Sequence, residues 1–125
     1  MKKVINTEKA PSAIGPYSQA IMAGGTVYSS GQIPVNPATG EIPEGIEAQT
    51  VQALENLKQV LEAAGCSMAE VVKTTVFIKD MASFPVINKL YSGYFTEPYP
   101  ARSCVEVAQL PKGVLIEIEA VAIKA

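Results

Sequence analysis

Two segments near the end of the sequence carry the side chains best suited to chemistry. Arg102, Cys104 and Glu106 occupy alternate positions of the first, and Glu117 and Glu119 do so in the second. Alternate residues of a β-strand share one face, so each segment presents a polar row. An antiparallel hairpin between the two strands would place Cys104 opposite Glu117. The same register would place Arg102 opposite Glu119, which predicts a guanidinium, a thiol and several carboxylates on one sheet face.

This polar row has two explanations. Charges buried on a sheet face need partners or a ligand, so the row is either a ligand site or a set of interfacial salt bridges. Cys104 has its own alternative as a small buried thiol. Residue spacing alone is compatible with both.

The composition removes several catalytic mechanisms. The 125-residue chain contains no histidine, which excludes Ser-His-Asp and Cys-His nucleophile systems and histidine-ligated zinc. The net charge is −2, and the lysines and the single arginine are scattered rather than gathered in a stripe that could bind phosphates. We therefore do not expect a nucleic acid partner.

Chain length indicates the number of domains, and cysteine usage indicates the cellular compartment. At roughly 150 residues per domain, residues 1–125 are expected to form one domain. Cys66 and Cys104 form neither a CxxC pair nor a disulfide-rich framework, which favours a reducing compartment. The N-terminal MKKVINTEKAP lacks the apolar segment of a signal peptide. We expect a cytoplasmic protein.

The apolar pattern predicts a sheet covered by two helices. Paired glycines at 24 and 25 predict a hairpin within 18–30. Spacings of three and four predict a helix over 46–64, with its apolar face on Val51, Leu54, Leu57, Leu61 and Ala64. A second helix follows Ser83, with apolar residues at Phe84, Ile87, Tyr91 and Tyr94. Further strands are expected at 4–5, 71–79, 101–107 and 114–123, with Val72, Thr74, Val76 and Ile78 on one side of the 71–79 strand. The order is β-β-β-α-β-α-β-β.

The last strand is apolar on both faces. Its even positions from Val114 to Ala122 can face the helices, yet Leu115, Val121 and Ile123 at odd positions are also apolar. Only one helix layer is available, so the second face is expected to pack on other copies of the chain. A monomer with an unusually apolar exposed face is the less economical alternative.

Four segments resemble the Rid/YjgF family, and specifically its reactive intermediate deaminase A branch. They are IGPYSQA at 14–20, SSGQIPVNPATGE at 29–41, KTTVFIKDM at 73–81 and PARSCVEVAQLPKGVLIEIEAVA at 100–122. The similarity runs in order along essentially the whole chain, and the last segment is highly specific.

The resemblance implies a fold, an assembly and an activity. The fold is α+β and similar to chorismate mutase, with two helices on one face of a mixed sheet and the sheets inside a homotrimer with intersubunit clefts. The activity is hydrolysis of 2-enamines and 2-imines, such as 2-aminocrotonate and 2-aminoacrylate, to 2-keto acids and ammonia. No metal or organic cofactor is implied. The alternatives are a single-strand endoribonuclease that inhibits translation and a non-catalytic trimer that binds small carboxylates.

The resemblance also implies site residues. Arg102 would bind the substrate carboxylate, because a guanidinium offers two parallel donors and a permanent charge. Glu117 would help a water molecule lose a proton to attack an imine carbon that is already electrophilic. The pocket would be completed by Tyr17, Ser30, Asn88 and Cys104.

Overall fold

A computed structural model describes all 125 residues and arranges them as a sheet with two helices. The strands are β1 (Lys2–Ile5), β2 (Ala20–Ala23), β3 (Thr26–Ser29), β4 (Val71–Ile78), β5 (Ala101–Glu106) and β6 (Ile116–Ile123). The helices are α1 (Ile46–Ala63) and α2 (Phe84–Tyr91). The predicted element order and the α+β class are confirmed. Neither helix combines the length and apolarity needed to cross a membrane.

The six strands form one mixed sheet in the order β1-β2-β3-β6-β4-β5. Strand β6 pairs antiparallel with both β3 and β4, whereas β5 pairs parallel with β4. The predicted hairpin between β5 and β6 is therefore wrong, because β4 lies between them. The physical reason is the α2 crossover, since a helical connection lets β5 return parallel to β4 at the sheet edge.

One face of the sheet packs against the helices as predicted. The even positions of β6, Ile116, Ile118, Ala120 and Ala122, are buried with α1 residues Leu54, Leu57 and Leu61. On β4 the same face carries Thr74, Val76 and Ile78. Apart from Thr74, these side chains belong to one hydrophobic core between the sheet and the helices.

The opposite face remains apolar across four strands. Val4 lies beside Ile21, Ile21 beside Tyr28, and Tyr28 beside Val121. Val4, Tyr28 and Ile123 are exposed in the isolated chain. Soluble monomers rarely expose a continuous patch of this kind, so the expectation that it contacts other copies of the chain stays as a prediction.

Two valines expected in the core are exposed. Val72 is 47% exposed because a bulge between Val71 and Lys73 inserts one residue, which leaves Val71 buried instead. Val51 is 37% exposed because α1 turns the side-chain amides of Gln49 and Asn56 toward the core instead. Gln49 accepts a hydrogen bond from the Leu115 N–H at 2.8 Å.

The second inward amide anchors the loop after β3. Asn56 donates to the carbonyls of Ile33 and Val35 at 2.9 and 3.0 Å. Loop carbonyls near a core need such donors, so a polar residue replaces an apolar one on the helix face.

Helix α2 is shorter than its apolar spacing suggests. It ends at Tyr91, and Tyr94 lies in the turn beyond it. Ser83 precedes the helix as predicted, but its side chain makes no capping hydrogen bond. The shorter helix leaves 92–100 free to form a loop beside the start of β5.

Thr50 provides a stability test of the core. Its buried hydroxyl has no hydrogen-bond partner. Thr50→Val replaces this hydroxyl by a methyl group of similar size and should raise the free energy of unfolding by about 1 kcal/mol. Urea unfolding at one fixed protein concentration measures the change. The matched control is Thr74→Val, which breaks the 2.7 Å hydrogen bond to Tyr91 and should destabilise. Equal destabilisation by both variants would contradict this prediction.

Candidate active site

Arg102 lies on the helix-facing side of β5, opposite Thr74 of β4. Its Nη1 donates a hydrogen bond to Asn88 Oδ1 at 2.7 Å. The guanidinium carbon lies 4.9 Å from the ring centroid of Tyr91 and 5.2 Å from that of Phe84. The half-buried cation is therefore held by side chains of α2 rather than by a carboxylate.

A cleft of about 370 Å³ opens beside the guanidinium. It is lined by Asn88, Tyr91, Ser92, Tyr99, Pro100 and Arg102. Arg102 has five N–H donors, and Asn88 is the side chain that accepts from one of them within the chain. The remaining donors are suited to a planar anion such as a carboxylate.

Cys104 follows two residues later on the same strand and is half-buried. Burial raises the pKa of its thiol, and the nearby Arg102 charge opposes this rise. A thiol with a raised pKa stays protonated at neutral pH and is a weak nucleophile. Cys104 packs against the hydrophobic core and does not line the cleft beside Arg102.

Glu117 lies on the other face of the sheet, opposite Phe77 of β4. It borders a cleft of about 570 Å³ that contains a hydroxyl, a phenol, two carboxylates and an ammonium. The lining residues are Ile14, Tyr17, Ser30, Gly31, Ile33, Pro111, Lys112, Glu117 and Glu119. Ser30 is oriented by donating its hydroxyl to the Ser18 carbonyl at 2.6 Å.

The environment of Glu117 favours its protonated form. Burial raises the pKa of this carboxyl, and the like charge of Glu119 adds to the rise. A carboxylate with a raised pKa is a stronger proton acceptor when it is ionised. The cleft therefore contains a candidate general base.

Gly31 provides the space that the Glu117 side chain occupies. A Cβ atom at Gly31 would lie 2.3 Å from Glu117 Oε2 and 2.7 Å from its Cδ. Such distances are far below van der Waals contact, so any larger residue would displace the carboxylate. The residue types around Gly31 do not indicate this role. Only the three-dimensional approach of 31 to 117 reveals it.

The six residues expected at the site form two groups in one chain. Asn88, Arg102 and Cys104 lie at β5 and α2. Tyr17, Ser30 and Glu117 lie on or beside the opposite sheet face, and all three line one cleft. The predicted common face for Arg102, Cys104 and Glu117 is wrong, because the parallel register of β5 turns its polar row toward the helices.

Glu106 also differs from expectation. Its Oε1 accepts a hydrogen bond from the Met81 N–H at 2.7 Å, so the carboxylate stabilises the turn before α2.

Phe84 and Tyr91 were predicted only as apolar positions of α2, yet both contact the Arg102 guanidinium. No group of three or more histidine, cysteine, aspartate or glutamate side chains converges in the structure, so we assign no metal ligands.

Comparisons with known proteins give matches along the whole chain. The family model described as endoribonuclease L-PSP matches residues 7–124. A 2-iminobutanoate/2-iminopropanoate deaminase of Escherichia coli K12 is 54% identical, with 99% of each chain covered. A Thermotoga maritima structure, provisionally assigned as an endoribonuclease, is 54% identical with a TM-score of 0.97, covering 100% of this chain and 99% of the other. Escherichia coli TdcF with bound serine is 48% identical with a TM-score of 0.94, covering 98% and 99%.

Proposed function

The chain belongs to the endoribonuclease L-PSP family, also called Rid/YjgF, and on this premise we propose that it hydrolyses 2-imino acids to 2-keto acids and ammonia. The observation that carries the proposal is the Arg102 guanidinium, which is oriented by Asn88 and has unused donors beside an open cleft. The 54% identity to a 2-iminobutanoate/2-iminopropanoate deaminase supports the same substrate class.

Arg102 binds the substrate carboxylate in this proposal. Two parallel N–H donors match the two carboxylate oxygens and fix the plane of the imino acid. Asn88 keeps the guanidinium in place, and Cys104 lies on the same strand face as a neutral neighbour. The bound carboxylate thus orients the adjacent imine carbon for attack from one side.

Glu117 activates the water. The Glu117 carboxylate accepts one proton from the water as its oxygen bonds to the imine carbon, and that proton passes to the nitrogen to give an amino alcohol. The hydroxyl proton of the amino alcohol then moves to the nitrogen as the C–N bond breaks, which leaves the keto group and releases ammonia. An enamine enters the same route after it tautomerises to the imine. Tyr17 and Ser30 contribute hydrogen-bonding groups to the Glu117 cleft.

The two groups of residues meet between neighbouring subunits in this proposal. Arg102 and Glu117 lie on different sheet faces of one chain, so one substrate needs Arg102 from one subunit and Glu117 from the next. The apolar row from Val4 to Val121 supports an assembly with the sheets inside. A homotrimer supplies three equivalent clefts by cyclic symmetry.

Gly31→Ala tests the close approach to Glu117. The new methyl group should push the carboxylate out of position and lower kcat/KM by about tenfold or more, since misplacing a catalytic group by an ångström is costly. Steady-state rates with 2-iminobutanoate measure this. The control is Gly15→Ala, whose Cβ would meet the Tyr17 ring at an ordinary 3.6 Å. Unchanged kinetics for Gly31→Ala would refute the proposed position of Glu117.

Glu119→Gln tests the charge environment of the base. Removing the like charge should lower the pKa of Glu117 toward its usual range. Because the active form of Glu117 is ionised, the acid limb of the kcat/KM profile should move to lower pH. Glu62→Gln, at an exposed position of α1, should leave the limb in place. A shift to higher pH in Glu119→Gln would contradict Glu117 as the base.

A coupled assay tests the reaction itself. A pyridoxal-phosphate-dependent threonine dehydratase generates the enamine and imine, which would arise in the cytoplasm alongside such enzymes. Adding the protein should increase the rate of 2-keto acid release above spontaneous hydrolysis. If the rate is the same with and without the protein, the deaminase proposal fails.

Two other activities are supported less well. The family description names an endoribonuclease, but the net charge of −2 and scattered basic residues offer no groove for single-stranded RNA. A binding-only trimer would use Arg102 alone, and the bound serine in TdcF shows that a relative holds a small amino acid. The base candidate Glu117 and its raised pKa favour turnover over binding alone.

A further inference from the structure

Three residues on one face of α2 contact the Arg102 guanidinium. Phe84, Asn88 and Tyr91 are spaced by four and three residues, which brings their side chains together on a helix. The two rings lie 5.2 and 4.9 Å from the guanidinium carbon, within the range of cation–π attraction. Asn88 accepts from Nη1 at 2.7 Å. The helix thus fixes both the position and the rotation of the cation.

The Tyr91 ring is itself fixed from the sheet. Its hydroxyl lies 2.7 Å from Thr74 Oγ1, and both residues are buried. Thr74 is the direct neighbour of Arg102 in the β4–β5 register. The ring also packs against Phe95, with centroids 4.4 Å apart. The hydrogen bond and the contact with Phe95 therefore hold the Tyr91 ring in place beside Arg102.

A flexible arginine loses side-chain entropy when it binds a ligand. An arginine that is already held in place before binding loses little further entropy in that step. We propose that Tyr91, anchored by Thr74, is a positioning residue that aims the free edge of the Arg102 guanidinium at the substrate carboxylate. This inference rests on the proposed function because it assigns that carboxylate to Arg102.

Tyr91→Leu is the direct test. Removing the ring should raise KM for 2-iminobutanoate about tenfold, the size of a partly desolvated cation–π contact, and leave kcat within about twofold. KM should change and kcat should not, because the ring contacts Arg102, which binds the substrate, and does not contact the reacting carbon. Tyr91→Phe keeps the aromatic face and loses only the hydrogen bond to Thr74, so its KM should lie between those of the wild type and Tyr91→Leu. A general loss of packing would lower kcat as well as raise KM, so an unchanged kcat distinguishes the two causes.

A double-variant cycle links the effect to Arg102. In an Arg102→Ala background, Tyr91→Leu should cause no further rise in KM. The control is Tyr94→Leu, which removes a half-buried tyrosine whose hydroxyl donates a hydrogen bond to Glu55. Tyr94 does not contact the guanidinium, so its loss should leave KM unchanged. An equal KM rise from Tyr94→Leu would overturn the inference.

Binding of the product 2-oxobutanoate, measured by calorimetry, separates this inference from the proposed reaction. Tyr91→Leu should weaken binding about tenfold even if the wild type shows no deaminase turnover. If Arg102→Ala weakens binding and Tyr91→Leu does not, the positioning role is wrong while the carboxylate site stands. If thermal unfolding shows that Tyr91→Leu is not folded, Tyr91→Phe replaces it, because this variant keeps the ring and loses its hydrogen bond to Thr74. A severalfold loss of binding then supports the inference, and unchanged binding overturns it.

Discussion

Arg102→Ala should lower kcat/KM for 2-iminobutanoate by about 10²- to 10³-fold, the effect of losing a bidentate charge-assisted contact. The substrate loses both its anchor and its orientation, so kcat falls and KM rises together. The coupled dehydratase assay measures the loss as 2-keto acid release above the spontaneous rate. Asn88 would also lose its partner, but the helix that carries it should remain folded because α2 packs through buried Ile87 and Tyr91.

Two further variants define the cause of that loss. Arg102→Lys keeps the positive charge but lacks the two parallel N–H donors of a planar guanidinium, so it should recover only part of the activity. Lys89→Ala removes an exposed charge from the same helix that carries Asn88 and should behave as wild type. Equal rates for wild type and Arg102→Ala would remove the carboxylate site from this position.

Mixing two inactive variants should restore activity if the site lies between subunits. Arg102→Ala and Glu117→Gln each lack one essential group, but a cleft formed by an intact Glu117 from one chain and an intact Arg102 from its neighbour is complete. After joint unfolding and refolding at equal amounts, about a quarter of the clefts in a cyclic trimer should contain both groups. Activity should therefore return to about a quarter of the wild-type value.

The reverse experiment provides the control. Equal amounts of wild type and the Arg102→Ala/Glu117→Gln double variant should give about a quarter of full activity for a shared cleft, and about half if each chain holds its own site. Light scattering on the same samples should report a trimer. No recovery in the mixture of single variants, or a monomer in solution, would refute an intersubunit site.

Local residue patterns were sufficient to predict the elements. Alternation in β6 correctly placed Ile116, Ile118 and Ala120 toward the core, because strand periodicity depends only on neighbours in sequence. The paired glycines 24 and 25 correctly marked the β2–β3 turn, where both adopt positive φ. Val72 was misplaced because a bulge breaks the alternation without any signal in the residue types.

The sequence by itself determined the chemistry available to this protein: no histidine, one arginine in a polar strand, a pair of glutamates in another, and a family resemblance confirmed by comparison. Only the tertiary structure decided which of these groups share a face. Strand partners are chosen by contacts between residues far apart in sequence, and the α2 crossover made β5 parallel to β4. That one choice placed Arg102 on Tyr91 and Phe84, and left Glu117 beside Gly31 on the other face of the sheet.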